Sequence, residues 1–184
     1  MIEPLRPRVC AGLYGDVVEI GFGSGLNVPH YPADVDSVSG VEPEPLGWKL
    51  ARKRLSASPI HVKRAGIDGQ SLPFEDATFD AALSTFTLCT IHDVTAALRE
   101  VHRVLKPGGA LHFLEHGIAP DEGVRRWQRR LEPVQKRVAG GCHLTRDPLA
   151  LVTAATFTVV ECEQFYQPGV PRPYGAATLA RAVI

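Results

Sequence analysis

The stretch Asp16-Val17-Val18-Glu19-Ile20-Gly21-Phe22-Gly23-Ser24-Gly25-Leu26-Asn27 runs from a short apolar segment into three alternating glycines. This order predicts a strand, a tight turn and the start of a helix. Glycine lacks a Cβ atom, so the turn can bend sharply and a ligand can approach bare backbone amides, as in the loops that bind nucleotides. The stretch therefore favours a nucleotide-like ligand.

The spacing of these glycines narrows the class of ligand. A dinucleotide-binding turn has glycines at its first, third and sixth positions, and Leu26 occupies the sixth position here. No Lys-Ser or Lys-Thr pair follows, which argues against a phosphate-binding P-loop. An ordinary tight turn is the structural alternative for an isolated glycine triplet.

The composition sets the size of the protein and excludes several classes. The chain has 184 residues, 45% of them hydrophobic, which suits one domain with a substantial core over residues 1–184. Its formal net charge is zero, so nothing marks it as a nucleic-acid-binding protein. Its four cysteines form no Cys-x-x-Cys pair, and neither a signal peptide nor a long apolar stretch is visible. We therefore expect a soluble, cytoplasmic protein with reduced thiols.

Strand and helix patterns alternate along the chain. Period-two or continuous apolar runs predict strands at residues 17–20, 35–41, 60–65, 79–88, 110–114, 157–162 and 174–182. Apolar residues at helical spacing predict helices at residues 44–57, 94–105, 121–138 and 148–155. Residues 27–32 between the glycine turn and the second strand are expected to form a loop.

The second predicted strand ends at Glu42. This glutamate lies about 20 residues beyond the glycine turn, where a nucleotide-binding βαβ unit places a carboxylate that accepts hydrogen bonds from ribose hydroxyls. The alternative is a solvent-facing acid that opens the next helix, where the helix dipole favours it. We take ribose binding as the prediction.

Three segments together resemble the class I methyltransferases that use S-adenosylmethionine. Glu19, at the strand end before Gly-x-Gly-x-Gly, is similar to the first motif of that family, and an acidic residue suits a cationic cofactor. Residues 68–80 are similar to its Asp-Ala-x-x-Leu-Pro-Phe-x-Asp-x-Ser-Phe-Asp segment, and residues 98–109 to the helix and turn that follow. The three matches occur in family order within residues 16–117.

This resemblance implies a fold and a set of contacts. The fold is a Rossmann-like, doubly wound, seven-stranded α/β sheet, mostly parallel with one antiparallel strand near the C-terminus. Asp68 would accept a hydrogen bond from the adenine amino group, although an aspartate before a glycine is also common in plain turns. The residues implied to bind S-adenosylmethionine are Glu19, Gly21, Gly23, Gly25, Asn27, Glu42, Pro43, Asp68, Gly69 and Thr85. Residues 1–15 are shorter than the N-terminal helical region common in the family, so a complete lid over the cofactor is not expected.

The second half of the chain resembles a narrower group, the thiol methyltransferase-like proteins. The residues that carry this likeness are Leu114-Glu115-His116, Trp127-Gln128, Pro133, Gly141-Cys142 and Thr145-Arg146. It implies a small-molecule methyl acceptor, with a thiol as the first candidate. Mammalian members carry an N-terminal membrane anchor that has no counterpart in this sequence.

Two histidines are candidates for catalysis. A thiol reacts as its thiolate, so a nearby base or cation would raise the reactive fraction. His116 is the first candidate and His92 the second, and a purely structural histidine at a strand or helix end is the alternative for each. A metal site is another alternative, with Cys89 and His92 as ligands and with Cys142, His143 and His116 as further ligands. Two isolated pairs do not form the closed ligand set of a zinc site, so no metal is predicted.

The predicted helix at residues 121–138 is basic and amphipathic. Such a helix can lie on a membrane surface or bind an acidic partner. We favour a covering helix whose apolar stripe packs on the sheet and whose arginines are solvated. The stripe consists of Val124, Trp127, Leu131, Val134 and Val138.

Two other functions stay open at this point. One is a non-catalytic S-adenosylmethionine-binding protein with a regulatory or assembly role, and the other is a nucleotide-dependent oxidoreductase, which Leu26 disfavours. Methylation of nucleic acid is disfavoured because Ser84-Thr85-Phe86-Thr87 stands where an Asn-Pro-Pro-Tyr-like motif would handle a base. We predict an S-adenosylmethionine-dependent methyltransferase that acts on a small molecule.

Overall fold

The computed structural model describes residues 3–184, and the first two residues of the predicted domain lie outside this range. The strands are β1 (Gly15–Ile20), β2 (Val35–Val41), β3 (His61–Gly66), β4 (Phe79–Thr85), β5 (Leu105–His116), β6 (Thr158–Tyr166) and β7 (Ala176–Val183). The helices are α1 (Arg6–Cys10), α2 (Pro45–Ala57), α3 (Val94–Val104), α4 (Glu122–Val138), α5 (Pro148–Ala154) and α6 (Arg172–Gly175). Short 3₁₀ turns cover Glu3–Leu5 and Val28–His30.

The seven strands form one sheet in the order β3-β2-β1-β4-β5-β7-β6. β7 runs antiparallel to β5 and to β6, whereas the pairs among β1 to β5 are parallel. The predicted mostly parallel, Rossmann-like sheet with one antiparallel strand near the C-terminus is therefore confirmed. The strand order reverses between β1 and β4, and ligands of open α/β sheets bind at such a switch point, beyond the carboxyl ends of the strands.

Both faces of the sheet are covered. On one face Val18 and Ala82 belong to a core cluster that includes Leu98 of α3 and Val152 of α5. On the other face Val17 and Leu83 pack with Val9 of α1. Because β1 and β4 are buried on both sides, their apolar runs are nearly continuous.

The helix predicted directly after the glycine turn is wrong. The chain makes only the 3₁₀ turn Val28–His30 and then enters β2, so the predicted loop at residues 27–32 describes this segment better. Two prolines explain the difference. Pro29 removes an amide donor, and Pro32 disfavours helical geometry in the residue before it, so a longer helix has no room to form.

Two strand boundaries also differ from the prediction. β4 ends at Thr85 because Phe86 has a φ of +53°, a left-handed conformation that turns the chain out of the sheet. β5 begins at Leu105, so residues 106–109, predicted as a turn, belong to the strand, with a register shift against β4. Tyr174 and Gly175, predicted as the start of the last strand, belong to α6 instead.

Helix α4 does not bury the stripe that the sequence assigned to the sheet. Trp127, Val134 and Val138 are 56%, 57% and 74% exposed, while Gln128 is buried. The preference for a covering helix with a packed stripe is therefore wrong for these three residues. Within residues 3–184, every helix is too short or too polar to span a lipid bilayer.

Candidate active site

A cavity of about 500 Å³ opens at the switch point between β1 and β4. Its volume lies in the range of small-molecule and cofactor sites. The wall is built by the loops that follow β1, β2, β3 and β4, together with Arg6 of α1 and Gly140 after α4. The topology therefore brings four separate strand ends to one ligand-sized space.

The glycine turn forms the floor of this cavity. Gly21 has a φ of +71°, and a Cβ atom there would lie 2.0 Å from Thr87 Oγ1, so another residue would be strained and would collide with the loop after β4. The next glycine amide, Gly23 N–H, donates a hydrogen bond to Glu42 Oε2 at 2.8 Å. The turn thus presents bare backbone and is fastened to the end of β2.

Two carboxylates line the same cavity at different strand ends. Glu42 also accepts a hydrogen bond from Glu44 N–H at 2.9 Å. Asp68 accepts bonds at Oδ1 from the backbone and side-chain nitrogens of Gln70, at 2.8 and 3.1 Å, and Gln70 Oε1 accepts from Asp93 N–H. A carboxylate has about four acceptor positions, so each can still accept bonds from a ligand.

A buried polar network supports the wall from behind. Asn27 Nδ2 donates to Glu19 Oε1 at 2.8 Å and to Thr85 Oγ1 at 2.9 Å, and Arg6 Nη1 donates to Asn27 Oδ1 at 2.7 Å. Glu19 also accepts a bond from the Tyr31 hydroxyl. Burial raises the pKa of Glu19 to about 7, against the bonds from Tyr31 and Asn27. Glu19 therefore positions Asn27, and through it Thr85 and Arg6.

The structure places eight of the twelve predicted site residues on the cavity wall. These are Gly21, Gly23, Glu42, Pro43, Asp68, Gly69, Thr85 and His92. The other four, Glu19, Gly25, Asn27 and His116, lie behind the wall. At Gly25 a Cβ atom would meet Ala51 and Phe22 at 3.0 and 3.1 Å, so that glycine lets α2 approach the turn.

Sequence reasoning missed Arg6 among the wall residues. Its guanidinium is 8% exposed and lies 21 positions from Asn27, the residue it bonds. It lies in α1, which has only five residues and is too short to carry a recognisable motif. A single arginine in an N-terminal segment gives no signal of its own, and only the fold brings it to the cavity.

A cluster of cysteine and histidine side chains lies behind the loop that follows β4. The ligand atoms of Cys89, His116 and Cys142 are all within 4.8 Å of one another, and Cys142 Sγ is 2.8 Å from His116 Nε2. The His116 ring lies 6.1 Å from the ring of Phe86, which lines the cavity. Of the residues weighed for a metal from sequence, the structure brings these three together, whereas His143 contacts Glu132.

The ionisation of this cluster is strongly coupled. A hydrogen bond from Cys89 lowers the pKa of Cys142, helped by His116 and opposed by burial. Burial lowers the pKa of His116, but the bond to Cys142 and the charges of Cys142 and Glu115 outweigh it, so the pKa is raised. The contact between Cys142 and His116 thus shifts the pKa of the thiol down and that of the imidazole up.

Glu115 and Arg146 hold the backbone around the cluster. Glu115, 1% exposed, accepts hydrogen bonds from the amides of Thr87 and Leu88 at 2.9 and 3.0 Å, and burial raises its pKa. Arg146 Nη1 donates to the carbonyls of Leu88 and Ile91 at 2.6 and 2.7 Å. Residues 139–147 are therefore fastened to the loop after β4, next to the cavity.

In comparisons with known proteins, the sequence matches methyltransferases. Residues 18–113 match the family model described as a methyltransferase domain. The chain is 33% identical over 172 residues to thiol S-methyltransferase TMT1B of Rattus norvegicus, covering 91% of this chain and 70% of that protein. It is 31% identical over 173 residues to thiol S-methyltransferase TMT1B of Homo sapiens, with the same two coverages.

Solved structures share the architecture. An S-adenosylmethionine-dependent methyltransferase from Mesorhizobium loti superposes with a TM-score of 0.69 at 19% identity, covering 98% of this chain and 96% of that one. A geranyl diphosphate methyltransferase in complex with its methyl donor gives a TM-score of 0.75 at 15% identity, covering 98% and 83%. At these identities the two structures support the fold alone.

Proposed function

Because the chain belongs to the family of S-adenosylmethionine-dependent methyltransferases, we propose that it methylates the sulfur atom of a small thiol. One observation carries the choice of a thiol. The likeness to the rat thiol S-methyltransferase extends over 172 residues, far beyond the generic domain at residues 18–113, and so includes the segments around His116 and Cys142. The likeness to this relative thus covers the segments around His116 and Cys142 as well as the generic methyltransferase domain.

The cavity wall fits the methyl donor in shape and in hydrogen bonding. The bare backbone at Gly23 lets a ligand come close, whereas Gly21 leaves room for the Thr87 side chain, whose Oγ1 would lie 2.0 Å from a Cβ at Gly21. In our proposal Glu42 accepts hydrogen bonds from the ribose hydroxyls and Asp68 accepts one from the adenine amino group. Arg6, the buried cation on the wall, is suited to the carboxylate of the methionine part.

The bound cofactor supplies a methyl group that its sulfonium already makes electrophilic. The protein's task is then to orient the acceptor and exclude water from the cavity. His92 lines the cavity, whereas His116 lies behind Phe86. We therefore assign to His92 the contact with the acceptor, and to His116 a role through its neighbours Cys89 and Cys142.

The proposal is tested by methyl transfer from tritium-labelled S-adenosylmethionine. The acceptor panel is an alkyl thiol, a phenol and a primary amine of similar size. Transfer to the thiol alone supports the proposal. Transfer to the phenol or the amine without transfer to the thiol would overturn the choice of sulfur, and binding of the cofactor without transfer to any acceptor would favour the non-catalytic alternative.

We also propose that the outer face of α4 contacts an anionic lipid surface. The face combines the exposed apolar residues Trp127, Val134 and Val138 with arginines, and the Arg130 guanidinium lies 5.5 Å from the centre of the Trp127 ring. Basic charge beside exposed aromatic and branched side chains is the pattern of helices that lie in the interface of a bilayer.

Flotation with lipid vesicles tests this contact. We expect binding to phosphatidylglycerol vesicles and not to phosphatidylcholine vesicles, with loss of binding in Trp127→Ser. Leu46→Ser is the matched control, because Leu46 is 60% exposed on α2. Equal loss in both variants, or no binding by the unmodified protein, would contradict the proposal.

A further inference from the structure

The cluster behind the loop after β4 has the composition of a metal site. We propose that Cys89, His116 and Cys142 bind a zinc ion through two thiolates and one imidazole nitrogen. Sulfur and imidazole ligands suit zinc, and zinc sites with three protein ligands keep their fourth position for water or substrate.

The distances between the ligand atoms fit a small ion. Bonds of about 2.3 Å to sulfur and about 2.0 Å to nitrogen in a tetrahedron separate neighbouring ligand atoms by roughly 3.5–3.8 Å. The three atoms lie within 4.8 Å of one another. The 2.8 Å contact between Cys142 and His116 belongs to the metal-free state, and it would widen slightly when an ion replaces the shared proton.

The backbone holds all three ligands in place without a metal. Cys89 O accepts a hydrogen bond from His143 N–H at 2.9 Å, next to Cys142, and Arg146 bonds the carbonyls on either side of Cys89. On the remaining side, Ile118 N–H donates to Arg146 O at 2.7 Å, two residues after His116. Ligands that are already positioned lose little conformational freedom when they bind an ion.

The surroundings of the cluster also contain polar atoms without partners. His116 Nδ1 and Glu115 Oε2 are buried and make no hydrogen bond to the residues that the structure describes. Buried polar atoms of this kind call for an explanation such as a missing water or ion. In zinc sites the second nitrogen of a ligating histidine commonly donates to a carboxylate or to water, and a buried water at His116 Nδ1 would serve that purpose.

Binding of zinc at the proposed site releases two protons. Cys89 loses its thiol proton and the Cys142–His116 pair loses the proton that it shares, both to solvent. Two thiolates and a lone pair on His116 Nε2 then bind the ion, and no electron is transferred. The fourth position is then open to one outside ligand.

Cobalt(II) replaces zinc in such sites and makes them visible by absorption. The full chain, kept reduced with a phosphine and cleared of metals with a chelator, is titrated with Co²⁺. We expect thiolate-to-cobalt charge-transfer bands in the near ultraviolet and the strong visible bands of tetrahedral cobalt, both removed by Zn²⁺. Absence of these bands in the unmodified protein would overturn the metal site.

Three variants locate the site. The charge-transfer bands should weaken at least several-fold in Cys89→Ser and in Cys142→Ser, and should persist in Cys162→Ser, whose exposed sulfur lies on β6. Circular dichroism checks that each variant is folded. Bands unchanged in both Cys89→Ser and Cys142→Ser would place the metal elsewhere and refute the assignment.

A thiol titration separates this inference from the proposed function. Adding an alkyl thiol to the cobalt-loaded protein should shift the visible bands, and no shift would refute the open position. Thiol methylation by a protein that binds no cobalt would refute the metal site and leave the proposed function intact. Cobalt bands in a protein that methylates no thiol would support the metal site and refute the proposed function.

Discussion

The backbone N–H of Gly23 donates a hydrogen bond of 2.8 Å to the carboxylate of Glu42. This contact joins the turn after β1 to the end of β2, so the two elements that a nucleotide-binding βαβ unit uses for its ligand are locked together. One oxygen of Glu42 accepts from Gly23 N–H and the other from Glu44 N–H, and each oxygen can accept one more hydrogen bond.

Replacing Glu42 by alanine should weaken the binding of S-adenosylhomocysteine by about 10- to 100-fold. The variant removes hydrogen bonds to a charged acceptor, which are worth about 1.5–3 kcal/mol. Isothermal titration calorimetry measures the loss. Glu44→Ala is the matched control, because Glu44 is exposed, lies two residues from Glu42 and is outside the cavity wall. Equal affinity in Glu42→Ala and the unmodified protein would refute the ribose assignment.

Asp68 should discriminate the base of the nucleoside. We expect the unmodified protein to bind S-adenosylhomocysteine at least about 10-fold more tightly than S-inosylhomocysteine, which has an oxygen acceptor in place of the amino donor. In Asp68→Asn the two affinities should converge. The control is Glu75→Gln, on an exposed side chain of the same loop. A preference for adenine that survives in Asp68→Asn would place the base elsewhere.

Substitution by alanine should have opposite effects on stability at two helical glycines. A Cβ atom at Gly47, in α2, would lie 2.6 Å from the carbonyl oxygen of Gly23, so Gly47→Ala must displace the glycine turn or the helix. A Cβ atom at Gly123, in α4, meets nothing within 4 Å. We expect Gly47→Ala to destabilise the fold by about 1–3 kcal/mol and to weaken cofactor binding.

Gly123→Ala should instead leave binding unchanged and stabilise the protein by up to about 1 kcal/mol, since alanine favours a helix more than glycine does. Thermal unfolding and calorimetric titration of both variants check this pair. If Gly47→Ala behaves like Gly123→Ala, the close approach of α2 to the turn is not needed for the cofactor site.

Many of the residues at the cavity wall could be predicted from sequence, and the reason is physical. Gly21, Glu42 and Asp68 each follow a predicted strand, and parallel strands bring their carboxyl ends to one edge of the sheet. Local patterns therefore fix these positions without knowledge of the packing. Glu19 shows the limit, because its sequence position is the same whether it faces the ligand or, as the structure has it, lies buried beneath Asn27.

The cluster of cysteines and His116 could not be predicted in the same way. Cys89, His116 and Cys142 come from three segments that are 26 or more residues apart, and their meeting depends on how residues 139–147 fold back over the loop after β4. The exposed apolar face of α4 could not be predicted for the same reason, because it depends on how the helix packs in the fold. Helical spacing identifies an apolar stripe but not which neighbour covers it, and Gln128 occupies the buried side.

The buried carboxyl of Glu19 should make stability depend on pH. Burial raises its pKa to about 7 from the ordinary value of 4.5, so between these two values the folded protein holds a proton that the unfolded chain releases. Stability from this group is therefore fully present below about pH 4.5, falls as the pH rises and levels off above about pH 7. The linkage relation gives a total loss of about 3 kcal/mol.

Glu19→Gln isolates this contribution, since the amide keeps the shape of the side chain and does not titrate. Urea unfolding of both proteins at several values from pH 4.5 to 8 gives the difference in their unfolding free energies, in which the other titrating groups cancel. We expect that difference to change by about 3 kcal/mol in favour of the variant as the pH rises. A difference that stays constant would mean that Glu19 is ionised in the fold throughout, and that the bonds from Asn27 and Tyr31 outweigh its burial.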